Sequence, residues 1–276
     1  MTNALATRRL GPVDEARAVL DALDTGRTIV VVTRIDEADA GARLLVDATG
    51  ARGTLGDATL DADATALARE AMADAAHEPG ATQLGGARVL VQVHRPTPRV
   101  YVVGAGHISV PLARIAQTAG FAVTVLDDRE EFADAARFDD GIRVQRMDLA
   151  DPFGATRPDA DSFVVLVTRA HKHDYDCLRD LLRHDPMPRY VGMIGSRGCV
   201  RAAFAALLEE GVPRERLAHV RAPLGLDIGA ETPAEIAVSV VAEMIAVRRG
   251  MAERDDAGAP LATREGVLER FFPESA

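Results

Sequence analysis

Apolar and polar positions recur with two periods along this chain, and their alternation outlines two successive modules. Val13, Ala16, Val19, Leu20 and Leu23 stand at helical spacing and predict a helix over 13–24. Strands follow at Thr28 to Thr33 and Ala42 to Val46. Asp47 to Gly50 is a turn signal, and Gly53 to Gly56 continues the glycine punctuation. The alanine-rich stretch 60–76 reads as helix, and Ala87 to Val93 as the strand that ends the first module. Pro96 and Pro98 then mark a linker, because proline breaks both helix and interior strand.

After the linker the pattern becomes strand 99–103, helix 108–119, strand 122–127, strand 142–146, strand 163–168, helix 174–183, strand 189–194 and helix 198–210. Alternation of this kind predicts a parallel, doubly wound α/β sheet. The clearest helix start is Thr232-Pro233-Ala234-Glu235: Thr232 is a capping-box N-cap, Pro233 takes the first helical position, and Glu235 reaches back to the cap. That helix carries Ile236, Val240, Ala242 and Ile245 and ends near Arg248-Arg249-Gly250. The expected organisation is a smaller N-terminal α+β domain (1–95), a doubly wound C-terminal domain (96–250) and a polar C-terminal tail (251–276).

Composition narrows the function. With 47% hydrophobic residues the 276-residue chain is globular, and a formal charge of −10 with no interleaved Lys/Arg and aromatic cluster argues against nucleic acid. No apolar run reaches the roughly 18 residues of a membrane span, and the N-terminus MTNALATRRLG lacks the apolar core of a secretion signal. Cys177 and Cys199 have neither zinc nor framework spacing, so a reducing cytoplasm is the expected compartment. Lys172 is the only lysine. There is therefore no GK[ST] phosphate loop, and no tyrosine is followed by a lysine four residues on.

The stretch RVYVVGAGHISVPLARIAQTAGFAVTVLDDR (99–129) has the grammar of the first βαβ turn of a dinucleotide-binding domain. Gly104 and Gly106 permit a tight turn and close approach of backbone N–H groups to a phosphate, and the helix behind them, starting beside His107, offers the positive end of its dipole. Asp127 stands at the end of the next strand, where an acid can bind a ribose hydroxyl. Ser109 replaces the third glycine of G-x-G-x-x-G.

In a doubly wound sheet the loops at the carboxyl ends of strands share one crevice. The loop Thr168-Arg169-Ala170-His171-Lys172-His173-Asp174-Tyr175-Asp176 places two histidines and two carboxylates there, a set that can bind a metal or transfer protons, and Thr168, His171 and Asp174 are candidate ligand contacts. No protein-only metal site is assigned. Their plainer reading is a helix-capping Asp174 with solvated histidines. Gly195-Ser196-Arg197 forms a second helix start suited to an anion, and its plainer reading is capping with an exposed arginine. The segment 223–229 reads either as a tightly packed crossover or as a lid.

Five segments in order carry a resemblance: VVGAGHIS (102–109), LDDREEFADAARF (126–138), VTRAHKHDYD (167–176), YVGMIGSR (190–197) and PLGLDIGAETPAEIAVSVVAEMIA (223–246). Together they resemble the XdhC/CoxI family, accessory factors of xanthine dehydrogenase and related molybdenum hydroxylases. The resemblance implies a Rossmann-like C-terminal domain that binds molybdopterin or the molybdenum cofactor, shelters it during sulfuration and passes it to the apo-hydroxylase. On that basis Gly104, Gly106, His107, Asp127, Thr168, His171, Asp174, Gly195, Ser196 and Arg197 fall on cofactor-binding motif positions. It also implies a molybdenum hydroxylase partner, a cysteine desulfurase as a second partner, and a homodimer. The N-terminal module is more divergent: GARLLV (41–46) and GTLG (53–56) look like family segments, but Asp57 and Ala58 replace expected glycines, and Leu84-Gly85-Gly86 stands where many members have Cys-Gly-Gly.

Two other expectations are kept. An NAD(P)-dependent oxidoreductase would use the same glycine turn, with His107 or His171 as acid/base and Asp127 or Arg129 choosing between NAD and NADP. A nucleotide-sensing module would bind without chemistry.

Overall fold

The structure is a computed structural model that describes residues 8–37, 39–74, 77–169 and 171–251. The chain divides into two compact units, Met1–Thr97 and Pro98–Ala276. The sequence-predicted tail beyond Met251 lies outside the described residues.

The first unit contains α1 (Pro12–Asp24), β1 (Ile29–Arg34), β2 (Arg43–Asp47), β3 (Gly50–Thr54), α2 (Ala58–Ala73), β4 (Gly80–Leu84) and β5 (Ala87–His94). Its five strands form an antiparallel sheet in the order β3-β2-β1-β5-β4. The central strand explains itself: Ile29, Val30, Val31 and Val32 are all fully buried. Successive side chains point to opposite faces, so Val30 and Val32 pack beneath α2 while Ile29 and Val31 face α1. Helix α2 turns Leu60, Ala64, Ala68 and Ala71 onto the sheet, and Asp57 caps it by accepting the Leu60 N–H.

The second unit runs β6 (Arg99–Val103), α3 (Ser109–Thr118), β7 (Ala122–Asp127), β8 (Arg143–Arg146), β9 (Phe163–Leu166), α4 (His171–Arg183), β10 (Tyr190–Met193), α5 (Arg197–Glu209), α6 (Arg214–Ala218), β11 (Val220–Arg221) and α7 (Pro233–Arg248). All six strands are parallel, in the order β8-β7-β6-β9-β10-β11. From β6 the chain winds outward to β8, then returns to the other side of β6 to start β9. That reversal is the topological switch point of a Rossmann-like sheet, where ligands of such folds bind.

Strand alternation divides the interior into two cores. Tyr101, Val103, Val164, Leu166, Val191 and Met193 face α4 and α5. Val100, Val102, Val123, Val125, Phe163 and Val165 face α3 and α7. Helix α7 begins with the predicted cap: Thr232 Oγ1 accepts the Glu235 N–H, and Glu235 Oε2 accepts the Thr232 N–H. At its far end Arg248 donates to the Ala119 carbonyl at 3.1 Å and lies 4.6 Å over the Phe121 ring, fastening the last helix to the end of α3. Among the described residues no helix is long and apolar enough to cross a membrane.

Candidate functional site

The site grows from the end of β6. Gly104 has φ +102°, and a Cβ there would lie 2.6 Å from the Val167 carbonyl oxygen and 2.9 Å from the Thr168 Cα. The exit of β9 is held in this position because Val167 N–H donates to the Val103 carbonyl at 2.9 Å. Only a residue without Cβ fits between them. Ser109, in the place of a third glycine, is fully buried and donates its hydroxyl to the Gly104 carbonyl, so it closes the turn from inside. Gly106 and His107 lie at the outer side of the turn, with His107 exposed. Among the described residues no acceptor takes the backbone N–H of Gly106, His107 or Ile108. Three polarised donors at a helix start are an arrangement that suits a phosphate.

Asp127 closes the neighbouring wall. It is 2% exposed. Oδ2 accepts from Ala105 N–H at 2.7 Å and from Arg129 Nη2 at 3.0 Å; Oδ1 accepts from Arg129 N–H at 2.9 Å and Arg129 Nε at 3.0 Å. Those four bonds use the acceptor capacity of a carboxylate. Burial by itself raises the Asp127 carboxyl, but the Arg129 side chain, the Ala105 and Arg129 amides and the Arg129 charge outweigh it and hold it below the ordinary carboxylate value. Arg129 in turn lies 3.5 Å over the Phe132 ring. A carboxylate depressed in the folded state contributes stability above its unfolded pKa and loses it as pH falls through its folded value. Asp127→Asn is therefore expected to cost about 2 kcal/mol at pH 7 and to flatten the acid limb of stability below pH 4. Urea unfolding at pH 7, 4 and 2.5 checks this; an acid limb as steep as the wild type's would count against it.

On the opposite side of β6, Asp174 is 1% exposed in the first turn of α4, and its Oδ1 accepts the Thr168 N–H at 3.2 Å. The helix starts three residues before Asp174, so this acid ties the loop down from within rather than standing at the predicted N-cap. His171 opens α4, and its side chain lies outside the described residues. Arg169 donates from this loop to Asp128 Oδ2, the residue after β7, at 2.9 Å. One strand further out, Gly195 leads into Ser196, which caps α5 by accepting the Cys199 N–H. Arg197 is the first helical residue, exposed and with no ion pair among the described residues.

The parallel sheet thus brings Gly104, Gly106, His107, Asp127, Thr168 and Asp174 to the ends of three adjacent strands, and Gly195, Ser196 and Arg197 to the next one. Among the described residues no group of three His, Cys, Asp or Glu can hold a metal ion. Cys177 is buried, and burial together with nearby aspartates pushes its thiol up to about 12, so it is no nucleophile at neutral pH.

The crossover 223–229 depends on a residue not singled out from sequence, Glu243. It is 3% exposed; its Oε2 accepts from Tyr190 Oη at 2.6 Å and from Gly225 N–H at 2.8 Å. Burial, then the Glu243 charge and hydrogen bond, raise the Tyr190 phenol well above 10, so Tyr190 stays a donor. Gly225 has φ +89°, and a Cβ there would lie 2.5 Å from Ser239 Oγ. The segment is therefore a tightly packed crossover at this point. The sequence signal for Glu243 is a single acid inside the apolar run AVSVVAEMIAV (237–247).

Comparison with known proteins fits this architecture. Residues 100–244, just over half of the chain, match the XdhC Rossmann domain, and residues 22–83 match the XdhC and CoxI family. An uncharacterized Escherichia coli protein, YqeB, is 35% identical over 170 residues, which cover 59% of this chain and 30% of that protein. A Bacillus subtilis protein, described as a probable subunit of xanthine dehydrogenase, is 32% identical over 167 residues, 59% of this chain and 47% of that one. The chain thus spans less than half the length of these curated relatives. A crystal structure described as a xanthine dehydrogenase from Bacillus halodurans shares the fold, with a TM-score of 0.66 and 24% identity over 88% of this chain and 66% of that chain. By its matched Rossmann domain and its N-terminal match alike, the chain belongs to the XdhC and CoxI family.

Proposed function

We propose that this protein is an accessory factor of a xanthine dehydrogenase-type molybdenum hydroxylase, and that its switch-point crevice binds a phosphate-bearing pterin, molybdopterin or the molybdenum cofactor. The observation that carries the reading is the trio of amides at Gly106, His107 and Ile108, which no acceptor among the described residues takes. They suit the pterin's phosphate, and the exposed Arg197 at the start of α5 suits a second anionic group. When bound, the pterin supplies the dithiolene that carries molybdenum; this chain's residues bind and orient its phosphate end. The Bacillus subtilis relative, named for xanthine dehydrogenase, supports the choice of client. In this reading the protein works in the cytoplasm as a homodimer, holds the cofactor while a cysteine desulfurase supplies sulfur, and hands it to the apo-hydroxylase.

Protein purified from a cofactor-producing host is expected to carry a phosphorylated pterin, identified by mass spectrometry of the released small molecule, and to raise the activity of a co-expressed hydroxylase. A preparation that carries no pterin and leaves the hydroxylase unchanged would overturn the proposal.

The strand order favours one other reading, an NAD(P)-dependent oxidoreductase. Against it stands Asp127, whose oxygens are engaged by Ala105 and Arg129 instead of facing a ribose. Calorimetric titration with NADH and NADPH separates the two, and binding well below millimolar concentration would favour the oxidoreductase.

A further inference from the structure

Two arginine–aspartate pairs stand at the mouth of the crevice, and they differ in kind. Asp127 and Arg129 form the buried pair described above, with side chains 2% and 18% exposed and three hydrogen bonds between the two residues. Arg169 and Asp128 meet in a single 2.9 Å bond, with side chains 47% and 20% exposed. The first pair belongs to the framework. The second is cheap to break, because exposed ion pairs contribute little to stability.

Its position gives it a function. Asp128 immediately follows β7, Arg169 follows β9 by three residues, and β6 lies between these two strands in the sheet. Adjacent strands are about 4.8 Å apart, so the pair bridges a gap of about 10 Å above the end of β6. The glycine turn and the Gly106–Ile108 amides, without an acceptor among the described residues, emerge from that end. A ligand whose phosphate reaches the Gly106–Ile108 amides would come to rest beneath the Arg169 guanidinium, whose one carboxylate partner among the described residues is Asp128.

We propose that Arg169 is a ligand-binding residue that exchanges partners: Asp128 holds it across the crevice mouth until the phosphate or pyrophosphate of a bound ligand replaces that carboxylate. Asp128 then acts as an internal competitor, setting a threshold of anionic charge that a ligand must exceed. A carboxylate ligand gains little from the exchange, since it replaces like with like. A dianionic phosphate gains more, through charge-assisted and bidentate contacts to the guanidinium. The inference rests on the crevice being the phosphate site proposed above, and it adds selection by charge.

The two partners of the pair predict effects of opposite sign, which a purely structural ion pair does not. Inorganic pyrophosphate titrated into the full-length protein at low salt, followed by calorimetry, is the test. Arg169→Ala is expected to weaken pyrophosphate binding about tenfold, the loss of one charge-assisted contact. Asp128→Asn is expected to tighten it about threefold, the release of an exposed ion pair. The double variant should bind like Arg169→Ala. Because the pair is a single contact with Arg169 half exposed and Asp128 partly so, thermal midpoints should stay within about 2 °C of the wild type. Asp128→Asn binding no tighter than the wild type, or Arg169→Ala binding no weaker, would overturn the exchange while leaving the crevice as a phosphate site. If the wild type binds neither pyrophosphate nor a phosphorylated pterin, the crevice reading falls and the exchange falls with it.

Discussion

Gly104→Ala is expected to destabilise the C-terminal unit by about 3 kcal/mol, with an unfolding midpoint shifted well below that of the parent chain. Two costs add. The added methyl must sit on a backbone with φ +102°, a conformation that costs a non-glycine residue about 1–3 kcal/mol. It must also displace the Val167 carbonyl, 2.6 Å away, and that backbone is hydrogen-bonded into the exit of β9. The nearest atoms are all backbone of Val167 and Thr168, so nothing flexible can yield. Gly106 supplies the control: it lacks a positive φ, and a Cβ there meets nothing within 4 Å. Gly106→Ala should cost below about 1 kcal/mol. Denaturant unfolding of both variants decides the matter, and equal losses at the two positions would refute the close-approach argument.

The other large effect lies beside β10, two strands from β6 in the same sheet. Glu243→Ala removes the acceptor shared by Tyr190 Oη and Gly225 N–H, leaving two buried donors without a partner. Each such loss costs about 1–3 kcal/mol, and the emptied volume adds to it, so about 4 kcal/mol is expected. Glu243→Gln keeps one carbonyl oxygen and should lose less than half as much. Guanidinium unfolding followed by far-UV circular dichroism measures both. A Glu243→Ala variant within about 1 kcal/mol of the parent would show that the crossover is held by something else.

Strand spacing made the Rossmann-like half readable in advance, because parallel strands buried on both faces read as unbroken apolar runs and glycine turns mark their ends. The strand at 99–103, the one at 122–127 and the capped helix from Pro233 lie where the periodicity puts them. Two strands of the first unit were not legible. β3 (Gly50–Thr54) carries two glycines and reads as a turn, and β4 (Gly80–Leu84) is an exposed edge whose residues lack apolar alternation. Edge strands take their order from backbone pairing with a neighbour, and side-chain pattern does not record that.

The site divides in the same way. Gly104, Gly106 and Asp127 announce themselves by spacing within one βαβ unit. What Asp127 does was hidden, because its oxygens are claimed by Ala105, which it meets only once the turn has folded back, and by Arg129, whose side chain can equally point to solvent. The Arg169–Asp128 pair spans 41 residues and depends on strand order, so no local motif encodes it. Glu243 was visible only as a polar residue out of place in an apolar helix, a signal that says a partner exists without saying which.

The clasp between Arg248 and Ala119 joins groups 129 residues apart. At a synthesis rate of about 5–20 residues per second, the first βαβ unit leaves the ribosome roughly 6 to 24 s before the helix that covers it is complete. Through that interval the apolar side of β6 and β7 has only α3 over it. That face of the sheet therefore matures last, after its own strands, and a nascent chain needs protection where α7 will pack.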